Sequence, residues 1–265
     1  MIEHFKKFDG GGKKDLLPLS FSQLTEFAFH RERWALKRLY GYEFPSSPAM
    51  ERGKAVESGL NMWLNGIDAD DSIKKMQQEY DTNCNAFENA KIPEERENLV
   101  PLFNEGIDRL KDYAFKLNLI GYQEKVEMDI QGIPLVGYTD FHFIDTKTKE
   151  DFYIDLKTTL RKPNGISNSH AMQQAIYKKG LLETVAPENL DVQMLIATPK
   201  KYDVIKIDDI SDYMKEIEMS LISMANLFKI CKSKENFASI VTPNLGDWHW
   251  YDEDQINARK EIWGV

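Results

Sequence analysis

The sequence has little cysteine: Cys84 and Cys231 are the only two among its 265 residues. They lie far apart and form no CxxC pair. The sequence therefore argues against a disulfide framework and against a zinc or iron–sulfur site built from cysteines. Scarce, unpaired cysteines are typical of a reducing, intracellular compartment, and we expect that setting here.

Long apolar runs are also missing. No apolar segment approaches the roughly 20 residues that cross a bilayer, and no charged-then-apolar leader opens the chain. The sequence also lacks a GxxxxGK[ST] phosphate loop, a GxGxxG turn opening a βαβ unit and a GxSxG elbow. We therefore expect a soluble protein with no membrane partner, and the enzyme classes that use those motifs receive no support.

The chain is poor in positive charge, with a net charge of −9. This counts against DNA as a partner, because Lys and Arg drive non-specific binding to phosphates. A metal site is itself acidic, however, and basic residues need only gather on one face. Each basic cluster could also be a solvated surface. The clusters are Arg31, Arg33, Lys37 and Arg38; Arg52 and Lys54; Arg161 and Lys162; Lys178 and Lys179; and Lys200 and Lys201.

The first part of the chain is predicted to pass from a flexible lead into helices. Residues 1–18 are typical of a flexible lead-in, with three successive glycines at 10–12. Ser20 and Gln23 form a capping box, so a helix is expected to begin here and to run toward Tyr40.

A second helix and an insertion follow. Val56, Leu60 and Trp63 recur at helical spacing, and Glu57 lies beside that stripe. Residues 68–119 have a helical, polar and charged pattern, which we interpret as a helical insertion or lid.

The hydrophobic period then changes to two, which predicts strands. The length suits one sizeable α/β domain with an insertion or two small ones, and we predict a single α/β domain over 19–265. The expected elements are a meander at 125–130, 133–144 and 151–158, a helix at about 170–183, strands at 192–197 and around 204–207, and a helical, Trp-rich segment at about 209–265.

The strand at 151–158 carries the most informative residues. Side chains alternate along a strand, so Ile154 and Leu156 are expected to face the core while Asp155 and Lys157 share the other face. If the preceding strand pairs antiparallel with it, Asp140 reaches the same patch. Two converging carboxylates need a cation between them, and oxygen ligands suit Mg²⁺ or Mn²⁺.

Such a site can hydrolyse a phosphodiester bond. One or two metal ions would bind the scissile phosphate and lower the pKa of a bound water, and Lys157 would orient that water or take its proton. Taken alone, Asp155 and Lys157 could also be a surface ion pair, with Asp140 a turn residue.

Several short segments together resemble the PD-(D/E)XK nuclease superfamily, specifically its RecB-like and Cas4-like branch, which includes phage exonucleases. They come in the family's order over about residues 19–197. The matching segments are LSFSQL at 19–24 with Arg33 and Trp34, RGKAVE at 52–57, GYTD at 137–140, IDLKT at 154–158 and QQAIY at 173–177. The resemblance implies a restriction-endonuclease-like fold, with a mixed β-sheet core flanked by helices.

The resemblance also assigns roles. It implies that Asp140, Asp155 and the Leu156 carbonyl are metal ligands and that Lys157 is catalytic. Gln173 and Tyr177 match a Gln-x-x-x-Tyr motif that lies beside the site and contacts DNA or the catalytic strand. As spacing alone, the pair also fits an ordinary amphipathic helix.

Two features depart from the pattern. Glu57 stands where RecB-like members commonly have histidine, and glutamate is a harder ligand that suits Mg²⁺. The cysteines of the iron–sulfur cluster in Cas4-like relatives are absent, so no cluster is expected. Packing of Trp34, Trp248 and Trp250 could replace it, or these rings could stack on unpaired bases.

The sequence therefore predicts a Mg²⁺-dependent DNA exonuclease of recombination, repair or phage DNA processing, with Mn²⁺ as a substitute. The alternatives are a structure-specific endonuclease and a catalytically silent DNA-binding module. Arg52, Arg161 and Lys162 are expected to contact DNA together with Gln173 and Tyr177. We expect a cytoplasmic protein, in the host cytoplasm if it comes from a phage. A homo-oligomer or a recombination partner protein is possible in principle, but no residue predicts one.

Overall fold

The structure is a computed structural model, and it describes residues 1–8, 16–85, 88–246, 250 and 253–265. Its helices and strands follow the order of the predicted pattern. The elements are α1 (Ile2–Lys7), β1 (Leu19–Ser20), α2 (Phe21–Phe29), α3 (Arg31–Arg38), α4 (Pro48–Leu64), α5 (Ala69–Cys84), α6 (Ile92–Glu97), α7 (Leu99–Lys116), β2 (Asn118–Ile130), β3 (Ile133–Ile144), β4 (Asp151–Thr158), α8 (Asn168–Leu181), a 3₁₀ turn (Pro187–Asn189), β5 (Leu190–Thr198), β6 (Lys201–Ile205), α9 (Ser211–Ile230), α10 (Lys234–Ile240) and α11 (Glu253–Trp263).

The strands form one mixed sheet in the order β1-β3-β4-β5-β6, with β2 paired to β3. β3 and β4 are antiparallel, β4 and β5 are parallel, and β5 and β6 are antiparallel. The parallel step follows from the α8 crossover, because two parallel strands need a long connection. This architecture confirms the predicted α/β fold class, a mixed sheet flanked by helices.

The chain divides into two compact units, where the sequence predicts one domain over 19–265. Unit 1 comprises residues 1–44, 127–137 and 209–265. Unit 2 comprises residues 45–126 and 138–208.

Unit 1 is built around aromatic side chains. Trp34 is fully buried, with its ring centroid 5.3 Å from that of Phe27 and 5.9 Å from that of Phe237. A buried ring cannot stack on an unpaired base, so Trp34 packs as a core residue. Trp250 donates its indole N–H to the Asn244 carbonyl at 2.7 Å, and Trp248 lies outside the described residues.

Two details of unit 1 differ from the sequence-based expectation. The predicted lead contains α1, in which Phe5 is buried against Phe228 at 4.9 Å between ring centroids; residues 9–15 lie outside the described part. The capping box of Ser20 and Gln23 is present as predicted, but the helix divides at His30, whose φ is −142° and ψ is 67°. These angles are not helical, so α2 ends there and α3 begins.

Unit 2 has a hydrophobic core to which the predicted insertion contributes. Met76, Leu102 and Phe103 of the insertion helices pack with Val56 of α4 and Ile154 of β4. The insertion side chains Met76, Leu102 and Phe103 are fully buried. In this structure the insertion is therefore part of the core. Within the described residues no helix is long and apolar enough to cross a membrane.

Candidate active site

The two faces of β4 differ as the alternation predicts. Ile154 and Leu156 belong to the core of unit 2, and Asp155 and Lys157 lie on the opposite face. That face is not simply solvated: Asp155 is 3% exposed, whereas the Lys157 side chain is 28% exposed. An ordinary surface ion pair would leave both groups in water, so this geometry does not fit that alternative.

Asp140 and Asp155 lie beside each other because of the register of β3 and β4. Phe141 pairs with Ile154, and continuing the register by one residue places Asp140 opposite Asp155. Asp140 Oδ2 accepts a hydrogen bond from the Leu156 backbone N–H at 2.6 Å. In an antiparallel pair, the N–H and C=O of one residue point toward the same neighbouring strand. The Leu156 carbonyl therefore points to the Asp140 side as well.

Lys157 is held by Asp155. Its Nζ lies 3.0 Å from Oδ1 and 2.9 Å from Oδ2 of that carboxylate. The Oδ1 contact has hydrogen-bond geometry. Oδ2 is buried and accepts no hydrogen bond among the described residues, despite the short distance to the ammonium. A buried carboxylate oxygen without a hydrogen bond is costly, and it marks a position that suits a further cation.

Glu57 approaches the same face from α4. Gln123 of β2 donates its amide N–H to Glu57 Oε1, and the Tyr122 hydroxyl also bonds to this carboxylate. Burial raises the pKa of Glu57, and the nearby charge of Asp155 raises it further, although Gln123, Tyr122 and Lys157 act in the opposite direction.

The charges of the site influence one another strongly. Burial raises the pKa of Asp140 well above its usual range, and the charges of Asp155 and Glu57 raise it further. Burial lowers the pKa of Lys157, but the surrounding carboxylates outweigh burial and the net change is upward. The structure thus brings Glu57, Asp140, Asp155 and Lys157 into one electrostatic group.

These residues fit a hard divalent cation by their chemistry. Three carboxylates and a backbone carbonyl are oxygen donors of the kind that Mg²⁺ and Mn²⁺ prefer. Among the described residues, no three His, Cys, Asp or Glu side chains converge as a preformed metal cluster. The reason is visible in the contacts: Lys157, the Leu156 N–H and Gln123 each engage one of the carboxylates. Side chains can turn toward a cation, and Asp155 Oδ2 has no hydrogen bond among the described residues to hold it back.

Gln173 and Tyr177 lie on one face of α8 and form a chain of hydrogen bonds to β3, the strand that carries Asp140. Gln173 Nε2 donates to the Tyr177 hydroxyl at 2.8 Å, and that hydroxyl donates to the Tyr138 carbonyl at 2.7 Å. Tyr177 is 3% exposed. The pair therefore contacts β3 two residues before Asp140, and its contact with DNA stays a prediction.

The three basic residues expected to contact DNA are placed differently. Arg161 is exposed, and Lys162 forms a partly exposed ion pair with Asp203. Arg52 is 4% exposed and forms an ion pair with Glu95. The expectation for Arg52 does not fit this structure, because a guanidinium buried against a carboxylate cannot reach a phosphate.

Two histidines near the site were not anticipated from the sequence. His170 begins the α8 face that continues with Gln173; burial lowers its pKa, and the charge of Lys157 lowers it further. Its position three residues before Gln173 was the available signal. His142 lies two residues after Asp140, with its ring nitrogens 2.5 Å from Glu124 Oε2 and 2.7 Å from Asp151 Oδ1. Its partners are distant in sequence, so no local pattern indicates them.

A family model and two solved structures are similar to this chain. A family model described as the PD-(D/E)XK nuclease superfamily matches residues 18–232. A crystal structure of a protein named "Putative exonuclease" from Eubacterium rectale matches with a TM-score of 0.55 and 15% identity, covering 99% of this chain and 96% of that chain. At that identity the likeness shows the fold alone.

A second solved structure, of a protein named SSO0001, has a TM-score of 0.34 and 14% identity, covering 71% of this chain and 94% of that chain. That score is too low to support an argument. No match was found among the curated proteins with which the sequence was compared.

Proposed function

The chain belongs to the PD-(D/E)XK nuclease superfamily, and from that premise we propose that it hydrolyses the phosphodiester bonds of DNA with Mg²⁺, for which Mn²⁺ can substitute. The observation that carries the proposal is the group formed by Asp140, Asp155 and Lys157 on one buried polar face, with Glu57 beside it. Like charges that are buried together destabilise a fold unless a bound cation neutralises them. Ionisable groups with shifted pKa values also cluster at functional sites.

We assign the metal-ligand role to Asp140, Asp155, Glu57 and the Leu156 carbonyl. When bound, the cations would act as Lewis acids on the scissile phosphate and make water a better nucleophile. The residues themselves position and stabilise. The Leu156 N–H fixes the orientation of the Asp140 carboxylate, and Asp155 fixes the position of the Lys157 ammonium.

Lys157 is the proposed catalytic residue. Its raised pKa favours the ammonium form in the absence of metal, and an ammonium donates hydrogen bonds to a phosphate oxygen or a water. With 28% of its side chain exposed, it is accessible to a substrate from the solvent side. The exposed Arg161 and Lys162 are proposed DNA contacts. The Lys162 pair with Asp203 is exposed enough to exchange for a phosphate at small cost.

We further propose that this activity is exonucleolytic and that it serves recombination, repair or phage DNA processing in the cytoplasm. This proposal is supported by the likeness to a structure named as an exonuclease and by the resemblance of the sequence segments to the RecB-like and Cas4-like branch.

The test compares end-labelled linear DNA with closed circular DNA of the same sequence, in Mg²⁺ and in EDTA. We expect degradation of the linear DNA in Mg²⁺ and an intact circle. Nicking of the circle would identify an endonuclease instead. Binding without cleavage would identify a silent DNA-binding module.

Matched variants decide whether this site is responsible. Asp155→Ala is expected to abolish cleavage, and Asp212→Ala, which changes a side chain that is 93% exposed, is expected to leave it unchanged. Undiminished cleavage by the Asp155 variant would overturn the proposed function.

A further inference from the structure

Arg52 is buried between the helical insertion and the end of the catalytic strand. Its residue is 4% exposed, although arginine is rarely buried without a partner. Nη1 forms an ion pair with Glu95 of α6, whose side chain is 9% exposed. Nη2 donates to the Thr158 carbonyl at 3.2 Å. One guanidinium thus contacts two segments that are far apart in sequence.

The contact with Thr158 lies next to a proposed active-site residue. Thr158 is the last residue of β4 and directly follows Lys157. Arg52 lies five residues before Glu57 on α4. α4 also approaches β4 closely at Gly53: a Cβ atom added at this residue would lie 3.4 Å from Thr158 Oγ1.

The planar guanidinium is needed for this arrangement. Its fork presents donors in two directions at once, toward the carboxylate and toward the carbonyl. A lysine ammonium is a compact point charge and cannot span both acceptors from the same backbone position. Arg52 Nε is buried without a hydrogen bond among the described residues, so the arrangement is not optimised for stability alone.

The neighbouring Glu51 ties α4 to a second insertion helix. It is 4% exposed and accepts hydrogen bonds from Lys54 at 2.7 Å and from Asn83 of α5 at 2.9 Å. The beginning of α4 is therefore fastened to α5, α6 and β4 by polar contacts.

We propose that Arg52 is a positioning residue, which docks α4 and α6 on the carboxyl end of β4 and thereby fixes Glu57 relative to Asp155 and Lys157. This inference rests on the proposed metal-dependent nuclease function. In this proposal the insertion supports the active site as a rigid element. Arg52 positions Glu57 and does not make the DNA contact that the sequence predicts.

The test uses the full chain with the variants Arg52→Lys, Arg52→Met and Glu95→Gln. Arg96→Met is the matched control, because Arg96 follows Glu95 on α6 and forms an exposed ion pair with Asp81. Three quantities are measured for each protein: kcat and KM on linear DNA, the Mn²⁺ dissociation constant by calorimetry, and the midpoint of thermal unfolding. Activity and Mn²⁺ binding are measured well below that midpoint.

Losing a residue that orients metal ligands typically costs about 10–100-fold in affinity or activity, and we expect a loss of that size in kcat and in Mn²⁺ affinity for Arg52→Lys. KM should change little, since Arg52 does not reach DNA. Glu95→Gln keeps an acceptor for the guanidinium, so its kcat and Mn²⁺ affinity should stay close to those of the unmodified protein, but its unfolding midpoint should fall because the buried guanidinium loses its counter-charge. Arg96→Met should resemble the unmodified protein in all three quantities. If Arg52→Met does not fold, Arg52→Lys decides.

A folded Arg52→Lys protein with unchanged kcat and Mn²⁺ affinity, and only a lower unfolding midpoint, would overturn the positioning role. If the unmodified protein cleaves no DNA, the proposed function fails, and the Mn²⁺ affinities still test Arg52. If the unmodified protein also binds no Mn²⁺, both proposals are overturned.

Discussion

Replacing Asp140 by asparagine is predicted to stabilise the metal-free protein while removing its activity. The change removes a charge and keeps the shape of the side chain. In the unmodified protein the Leu156 N–H donates to Asp140 Oδ2 at 2.6 Å, and the asparagine amide oxygen can accept the same hydrogen bond. In the unmodified protein, burial and the charges of Asp155 and Glu57 raise the pKa of Asp140. The Asp140 carboxyl therefore destabilises the metal-free fold near neutral pH.

The sign of the pH dependence follows from linkage. When the pKa of an acid is higher in the folded than in the unfolded chain, its contribution to stability is complete below the unfolded-state pKa, where both states are protonated. This contribution is lost as the pH rises through the folded-state pKa. Each pKa unit of difference corresponds to about 1.4 kcal/mol. The advantage of Asp140→Asn should thus be present at about pH 7 and should vanish as the pH falls toward about 4.

The expected size is a gain of about 1–2 kcal/mol in the free energy of unfolding, as is typical when an active-site strain is relieved. For a chain of this length, that corresponds to a rise of roughly 2–8 °C in the unfolding midpoint. Saturating divalent metal should reverse the order, because a ligand at about 100 times its Kd adds about 2.7 kcal/mol to the protein that binds it.

Thermal unfolding followed by circular dichroism, in EDTA and in Mg²⁺, measures both effects. Asp212→Asn is the control, because this fully solvated carboxylate should show neither effect. The reasoning is refuted if Asp140→Asn is less stable than the unmodified protein in EDTA at neutral pH, or if Mg²⁺ stabilises both proteins equally.

Three further substitutions test single contacts. Ser20→Ala removes the side-chain acceptor for the Gln23 N–H at 3.2 Å and should cost about 1 kcal/mol in chemical denaturation, whereas an unchanged midpoint would contradict the capping box. Tyr177→Phe removes the hydrogen bond to the Tyr138 carbonyl and should cost about 1 kcal/mol of stability and lower kcat, so an unaltered kcat would show that this link does not support the site. Phe103→Ala should cost about 3–5 kcal/mol because the side chain is fully buried, and a loss near zero would mean that the insertion is not part of the core.

The strands, and the face of β4 that carries Asp155 and Lys157, were predictable because they depend on local periodicity. Alternation alone places Asp155 and Lys157 on one face, and the bounds of β4 agree with the predicted 151–158. The position of Asp140 needed one assumption, that the hairpin pairs antiparallel, and the register confirms it.

What the sequence did not predict depends on contacts between distant residues. Arg52 looks like a member of a basic cluster, and its burial becomes evident only when Glu95 is folded against it. The insertion looks polar along the chain, but its few apolar positions fall on faces that reach a common core. Similarly, nothing local to α1 indicates that Phe5 has an aromatic partner in Phe228.

The central claim concerns where divalent cations bind, and anomalous diffraction from a crystal of the protein grown with Mn²⁺ tests it most directly. We predict a manganese peak bounded by the carboxylates of Asp140 and Asp155 and by the Leu156 carbonyl, with Glu57 near it. A peak elsewhere, with this face left free of metal in a protein that cleaves DNA, would contradict the account.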